Sequence, residues 1–507
     1  MQEPKKMDRR NFIYVGLGAA VIIVGGAAVY FATKPPEVTT ITSTVPTTTT
    51  TTATSTTTVP TTTTATSTTT STTTATSTTT ATTTFWTPTE PKPSQLVMLG
   101  HEVHRKADVG ANAAGQINLI APFTVETGIP VNWITLSNPD NYTKLMLECS
   151  SAEATINIGH ILVNWASPKI ANLFENLNPW LDKAPIEDFN DFIPSTLSPF
   201  TFGGKLYAIP IRVSGSTFMH HKGYFEQQGV SPPSTIEEFA DVAKQMTFTG
   251  STGEKVYGFS VNANAAEIFE SVAWFARSWD GDIITPDYKI VCNQAPCVNG
   301  IEIMKKMYQD GSTPPNLTEL SNADHVNLCK AGRVSMMAQG VSYIVGYNDP
   351  ATSKVVDQIE LGYHPPAAEF KTKWEGAAPT FTYIWSMLIP ANGKYKEWSW
   401  DLIRRLSTRN SNLILSMQGT DVGRASVYSN STYLDFWKNK GGTSSKYPDV
   451  LGKVLKYGRP SIPGLDSFSQ VTDIIGKETV AAILGQKTAQ QAMDNAAEAL
   501  KQYVPTA

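Results

Sequence analysis

Residues 202–247 read FGGKLYAIPIRVSGSTFMHHKGYFEQQGVSPPSTIEEFADVAKQMT. Arg212 follows a strand-like run rich in apolar residues, and a guanidinium taken out of water there needs a partner, either a carboxylate or a ligand. Further on, TIEEFADVAKQMT reads as a helix. Ser234-Thr235-x-x-Glu238 is a capping box, whose side chains bond the free N–H groups of a first turn, and Pro233 sits just before it. A strand followed by a capped helix is the unit whose repetition decides the fold.

The same rhythm runs upstream. QLVMLG (95–100) reads as a buried strand, Gly115 to Gly128 has helical apolar spacing ending on glycine, and IPVNWITL reads as a second strand. NYTKLMLECSSAE then reads as helix, TINIGHILV as strand and SPKIANLFENL as helix. Strands alternating with helices predict an α/β domain, with a parallel sheet covered on both faces. Ligands in such sheets bind beyond the carboxyl ends of the strands. That points to the loop GHEVHRKA after the first strand and to His160–Trp165 after the third. Downstream, VNGIEIMKKMYQDG, KEWSWDLIRRLST and TAQQAMDNAAEALKQYV read as helices.

Net charge is −4 and no basic stripe with interleaved aromatics exists, so nothing supports nucleic-acid binding. The N-terminus carries Lys5, Lys6, Arg9 and Arg10 ahead of an uncharged apolar run, Phe12–Ala32. A helix of that length reaches about 30 Å, the thickness of a bilayer core. The positive flank predicts residues 1–11 inside the cell and everything after Thr33 outside. Arg9-Arg10 also resembles a twin-arginine export signal, although no basic residue follows the apolar pair. A cleaved signal peptide is the alternative to a retained anchor. Of the 46 residues from Thr39 to Thr84, 32 are threonine. Lacking large apolar groups, this tract is expected to stay disordered, as a stalk open to O-glycosylation.

Asn141, Asn316 and Asn430 stand in N-glycosylation triplets, and four cysteines fit an oxidising compartment. Cys292 and Cys297 enclose NQAP and could close a small disulfide loop.

In the expected order, GIPVNWI, LFENLNPWLDK, the 202–247 block, WDGDII, CKAGRVSMMAQGVSYI and GTDVGRASVYSN resemble segments of the family 1 extracellular solute-binding proteins of ABC transporters. The resemblance is to the sugar-binding subgroup, similar to maltose-binding protein, and the anchored layout is similar to archaeal-type membrane-anchored forms. It implies a two-lobed periplasmic-binding-protein-like fold whose hinge strands close on a sugar or oligosaccharide, for delivery to ABC permease subunits. It also implies a monomeric binding domain with no cofactor and no catalytic residues. The crossings between lobes are expected near Pro210–Ser214, Tyr383–Pro390 and Arg424–Val427. Residues 33–93 would be stalk, 94–212 with 386–425 lobe 1, and 213–385 with 426–507 lobe 2.

Sugars present hydroxyls around an apolar ring face, so their sites combine aromatic platforms with charged or amide groups. The candidates are His101, Glu102 and His104 after the first strand, and His160 and Trp165 after the third. Arg212 at the first crossing, Tyr343, Trp385 at the second crossing and Arg424 at the third complete the set. Trp385 could equally be core, and Arg424 could serve only to bridge carboxylates. The histidines of HEVH are three residues apart, not the four of a zincin helix, so no metal is expected. Asn157 stands where many relatives have aspartate. A stalked polysaccharide hydrolase and a surface-layer component are the competing readings, but no paired carboxylates, GxSxG elbow or phosphate loop stand out.

Overall fold

The structure, a computed structural model, describes residues 42–58, 64–80, 86–251 and 253–505. The chain divides into two units, Met1–Thr87 and Pro88–Ala507. In the first, Thr42–Thr58 and Thr64–Thr80 pair as an antiparallel ribbon, Thr42 opposite Thr80. Over these residues the threonine tract is therefore not the disordered stalk its composition predicts. β-Branched threonine suits extended pairing, although a two-stranded ribbon alone is only marginally stable in water. The anchor expected at Phe12–Ala32 and the basic N-terminus lie outside the described residues. Among those described, no helix is long and apolar enough to cross a membrane.

The second unit begins at Pro88, ahead of the expected boundary at residue 94, because Glu90 is tied into it. Its carboxylate accepts the backbone N–H groups of Glu397 (2.7 Å) and Trp398 (3.3 Å). These are free donors in the first turn of the helix Lys396–Leu406.

The unit is built on a nine-stranded mixed sheet. Its strands are β1 (Leu96–Gly100), β2 (Val131–Thr135), β3 (Ile158–Leu162), β4 (Ile209–His221), β5 (Phe248–Thr249), β6 (Lys255–Ser260), β7 (Val334–Gly340), β8 (Ile359–Leu361) and β9 (Thr382–Leu388). The spatial order is β2-β1-β3-β9-β4-β7-β6-β5, with β8 also on β4. β1 runs parallel to β2 and β3, so the first three strands form the parallel sheet read from the sequence. Between them run the helices α1 (Glu102–Asp108), α2 (Ala121–Thr127) and α3 (Asn138–Ser150). Gly128 ends α2 in the left-handed conformation (φ 70°).

β4 holds the two halves together. Over Ile209–Gly215 it pairs with β9, which in turn pairs with β3; from Ser216 to His220 it pairs with β7. Beyond the switch an apolar core collects residues from Phe218 to Ala367 and from Ile462 to Val504, and none from between. It rests on α4 (Ile268–Ala276), buried along its whole length, and on the helices Ala295–Gln309, Phe468–Ile483 and Ala489–Leu500.

Several local expectations are corrected. HEVHRKA is not a loop but the helix α1: His101 Nδ1 accepts the Val103 N–H (3.2 Å) as N-cap, and Glu102 pairs with Arg105 one turn on. SPKIANLFENL forms only the 3₁₀ turn Ala171–Leu173. The helix expected from Thr235 begins at Phe239, so the capping box does not form, and Glu238 instead accepts the Ser234 N–H at 2.9 Å. Cys292 and Cys297 are not a disulfide. All four cysteines are free and buried, with the Cys297 thiol on the Asp282 carbonyl (3.3 Å) and that of Cys292 toward the Met493 carbonyl. Asn141 is fully buried and donates to the His160 carbonyl at 2.8 Å, which excludes a glycan there. Asn316 is exposed, while Asn430 is half-buried and caps the helix Ser431–Lys440.

Candidate functional site

The strand ribbon β4–β9 makes the floor of the site. Along β4 side chains alternate, Ile211 and Val213 buried, Arg212 and Ser214 half-exposed. Trp385 stands opposite Arg212 and Tyr383 opposite Ser214, so the four share one face. The register slips by one residue between Trp385 and Ser386. A bulge of this kind re-aims neighbouring side chains, and it lies immediately beside the arginine–tryptophan pair.

A cavity of about 380 Å³ opens over this face. Arg212, Ser214, Tyr383 and Trp385 line it from the floor, with Leu162 and Asn138 from the β3 side. From beyond the strand switch come Glu267, Glu270 and Trp274 at the start and middle of α4, Gln339 at the end of β7, and Asn322 and Tyr343. The amides and the phenol bond one another: Gln339 Nε2 donates to Asn322 Oδ1 (3.0 Å), and Asn322 Nδ2 donates to Tyr343 Oη (2.7 Å). Trp274 stacks on His364 with ring centroids 3.8 Å apart, and its Nε1 has no partner among the described residues, nor has Ser216 Oγ.

Three ionisable groups set the electrostatics. Arg212 makes no hydrogen bond or ion pair with any described residue. Burial lowers its pKa, while Asp421, Tyr447 and Tyr343 partly hold it up. Asp421 is raised to about 6 by burial, and accepts its hydrogen bond from Tyr447 Oη (2.6 Å) rather than from the guanidinium. Glu270 is pushed up to about 8 by burial and by the nearby Glu267, and accepts a hydrogen bond from Tyr383 Oη.

Of the nine residues singled out from sequence, Arg212, Tyr343 and Trp385 line the cavity. Three more lie behind its wall. His104 is buried, edge-on to Trp385 (4.8 Å) and stacked on His160 (5.0 Å), while Trp165 meets Trp385 edge to face (6.1 Å). His160 is pushed down to about 4 by burial and pins its ring on the Leu99 carbonyl (2.9 Å). Gly100 leaves room for that ring, since a Cβ there would fall 2.8 Å from His160 Nδ1. His101 is spent on capping α1 and Glu102 on Arg105. Arg424 is not a cavity residue. Wholly buried, it donates to the carbonyls of Ser407, Asp188 and Glu187, bridges to Asp191 (3.3 Å) and covers the Phe192 ring. Glu267, Glu270, Trp274, Asn322, Gln339 and Tyr383 were not anticipated. A signal existed for one of them: Glu270 is the only charge in the apolar helix IFESVAWFA.

The bacterial extracellular solute-binding protein profile matches residues 118–442. The chain belongs to that family. It is thus a member of a family of solute-binding proteins, not of enzymes. Its fold is similar to that of maltose-bound T. maritima MalE3, with a TM-score of 0.64 at 18% identity, covering 80% of this chain and 99% of that one. It is also similar to an ABC transporter solute-binding protein from Agrobacterium radiobacter K84 in complex with ribitol, with a TM-score of 0.63 at 22% identity, covering 81% and 100%. These likenesses support a two-lobed periplasmic-binding-protein-like α/β fold. Among curated relatives, a binding protein of Brucella abortus is 25% identical over 55% of this chain. An erythritol/L-threitol-binding protein of Mycolicibacterium smegmatis is 23% identical over 66% of this chain and 72% of its own length. The chain spans 64% of the length of the Brucella protein.

Proposed function

We propose that this chain captures a sugar or polyol in the cavity between its lobes and delivers it to the permease of an ABC importer. The observation that carries the reading is the joint lining of the cavity: tryptophan and tyrosine rings for apolar C–H faces, with carboxylates, amides and a guanidinium for hydroxyls. Relatives whose names carry maltose, ribitol and erythritol or threitol support the substrate class. We place the hinge at Gly215–Ser216, where β4 changes partner, with Arg212 and Trp385 on one side and α4 and Gln339 on the other. Closure about that point would bring both walls onto the ligand, and the closed form would be what the permease engages. Trp165, His104 and His160 act through Trp385 by fixing its ring. The binding domain works as a monomer outside the cell, held by the Phe12–Ala32 segment through the threonine tract. Glycans, where present, sit on Asn316, Asn430 or that tract. A hydrolase is disfavoured because Glu267 and Glu270 lie on one turn of one wall and do not flank a bond.

The test is calorimetric titration of the full chain with maltose, ribitol, mannitol and erythritol, followed by chemical recovery of each. Saturable binding of at least one, returned intact, is expected. Binding of none, or conversion of any, would sink the proposal.

A further inference from the structure

Of the charged groups in the cavity, Arg212 alone among the described residues has nothing to hold. Glu270 has the Tyr383 hydroxyl and Glu267 accepts from Asn264 Nδ2 (2.7 Å). The buried arginines elsewhere in the unit are saturated. Arg424 spends its donors on three carbonyls and Asp191, and Arg277 spends its own on the carbonyls of Thr380, Arg459 and Pro460 and on Asp282. Arg212 is only half-buried, so its guanidinium keeps some access to the cavity, and its five donors have no protein acceptor and stand open to acceptors that arrive there. The carboxylate whose charge acts on it, Asp421, takes its hydrogen bond from Tyr447 instead. Arg212 also faces a cavity, next to an aromatic plane on the neighbouring strand.

We infer that the ligand carries a carboxylate that docks on Arg212, making it a sugar acid, an aldonate or uronate, and not a neutral sugar. A planar guanidinium fork matches a planar carboxylate with two parallel hydrogen bonds. The carbon chain or ring beyond it lies along Trp385 and Tyr383, and its hydroxyls reach the amides and carboxylates on the α4 side. Glu270, held protonated by its surroundings, adds no repulsion to the incoming anion.

This rests on the proposed capture of a polyhydroxylated solute, and the test separates the two. The full chain is titrated with glucuronate, gluconate, glucose, sorbitol and glucosamine, then again as Arg212→Gln and Arg212→Lys. The acids are expected to bind about ten- to a hundredfold tighter than their neutral counterparts. Arg212→Gln should erase that preference by weakening the acids far more than the neutral members, and Arg212→Lys should restore only part of it. Should Arg212→Gln fail to fold, the acid-to-neutral ratio in the unaltered chain still decides. Neutral members binding as tightly as the acids overturn the inference and leave solute capture standing. Tightest binding by glucosamine overturns it in favour of the carboxylates Glu267 and Glu270. No binding by any member overturns the inference, while solute capture is then decided separately by the titrations with maltose, ribitol, mannitol and erythritol.

Discussion

Arg212 and Arg424 look alike in sequence, each flanked by small and apolar residues, yet only one faces the cavity. What separates them is the carbonyl cage around Arg424, two of whose three members, Asp188 and Glu187, come from more than two hundred residues away. No local pattern reports such a partner. Removing one member of a buried ion pair leaves the other uncompensated, so Arg424→Ala should cost about 3–5 kcal/mol of stability. A urea melt checks it, with ligand affinity of the folded fraction unchanged; unaltered stability would show the cage to be incidental. Trp385→Ala should do the reverse. It removes the platform on the floor and should weaken ligand binding about tenfold or more, by roughly the worth of an aromatic contact and its burial. Trp385 was legible because it sits at a crossing. Its register slip, which places it opposite Arg212, was not, since a bulge depends on pairing with a distant strand.

Among the elements, β4 carries the most consequence. Its apolar alternation around Arg212 was readable, as were the parallel β1–β3 unit and the long helices near the C-terminus. The short helix α1 was not, because seven residues offer too little periodicity and its cap is a histidine. The change of partner within β4 was likewise invisible, being a property of β7 and β9. Gly215 sits at that change. A Cβ there would lie 2.3 Å from Val454 Cγ1 and 3.2 Å from the Phe381 carbonyl. Gly215→Ala should therefore destabilise by about 1–3 kcal/mol through overpacking, seen as a lowered thermal midpoint, and an unchanged midpoint would mean that the strand yields freely.

For the whole molecule, buried titratable groups set the pH profile. His160, His221 and His325 are pushed down to about 4 and His364 to about 3, all chiefly by burial. The unfolded chain protonates these imidazoles near 6.5 while the folded chain resists, so stability falls as pH drops from about 6.5 toward 4. Asp108 and Glu270 are pushed up to about 8 by burial. Here the folded chain holds protons that the unfolded chain has shed, so stability falls as pH rises toward 8. A maximum near pH 6 to 6.5 is expected in thermal melts, and Glu270→Gln should flatten the alkaline limb.

The two halves are expected to close on a solute held at the β4–β9 floor. Labels at Val125→Cys, on exposed α2, and at Gln486→Cys, beyond the helix Phe468–Ile483, report the separation of the halves, since the four native thiols are buried. Electron-spin distance measurement on this pair, with and without saturating ligand, is the direct test. A shorter, narrower distance distribution is expected with ligand, lost in Trp385→Ala. Tight binding with the distribution unmoved would contradict it.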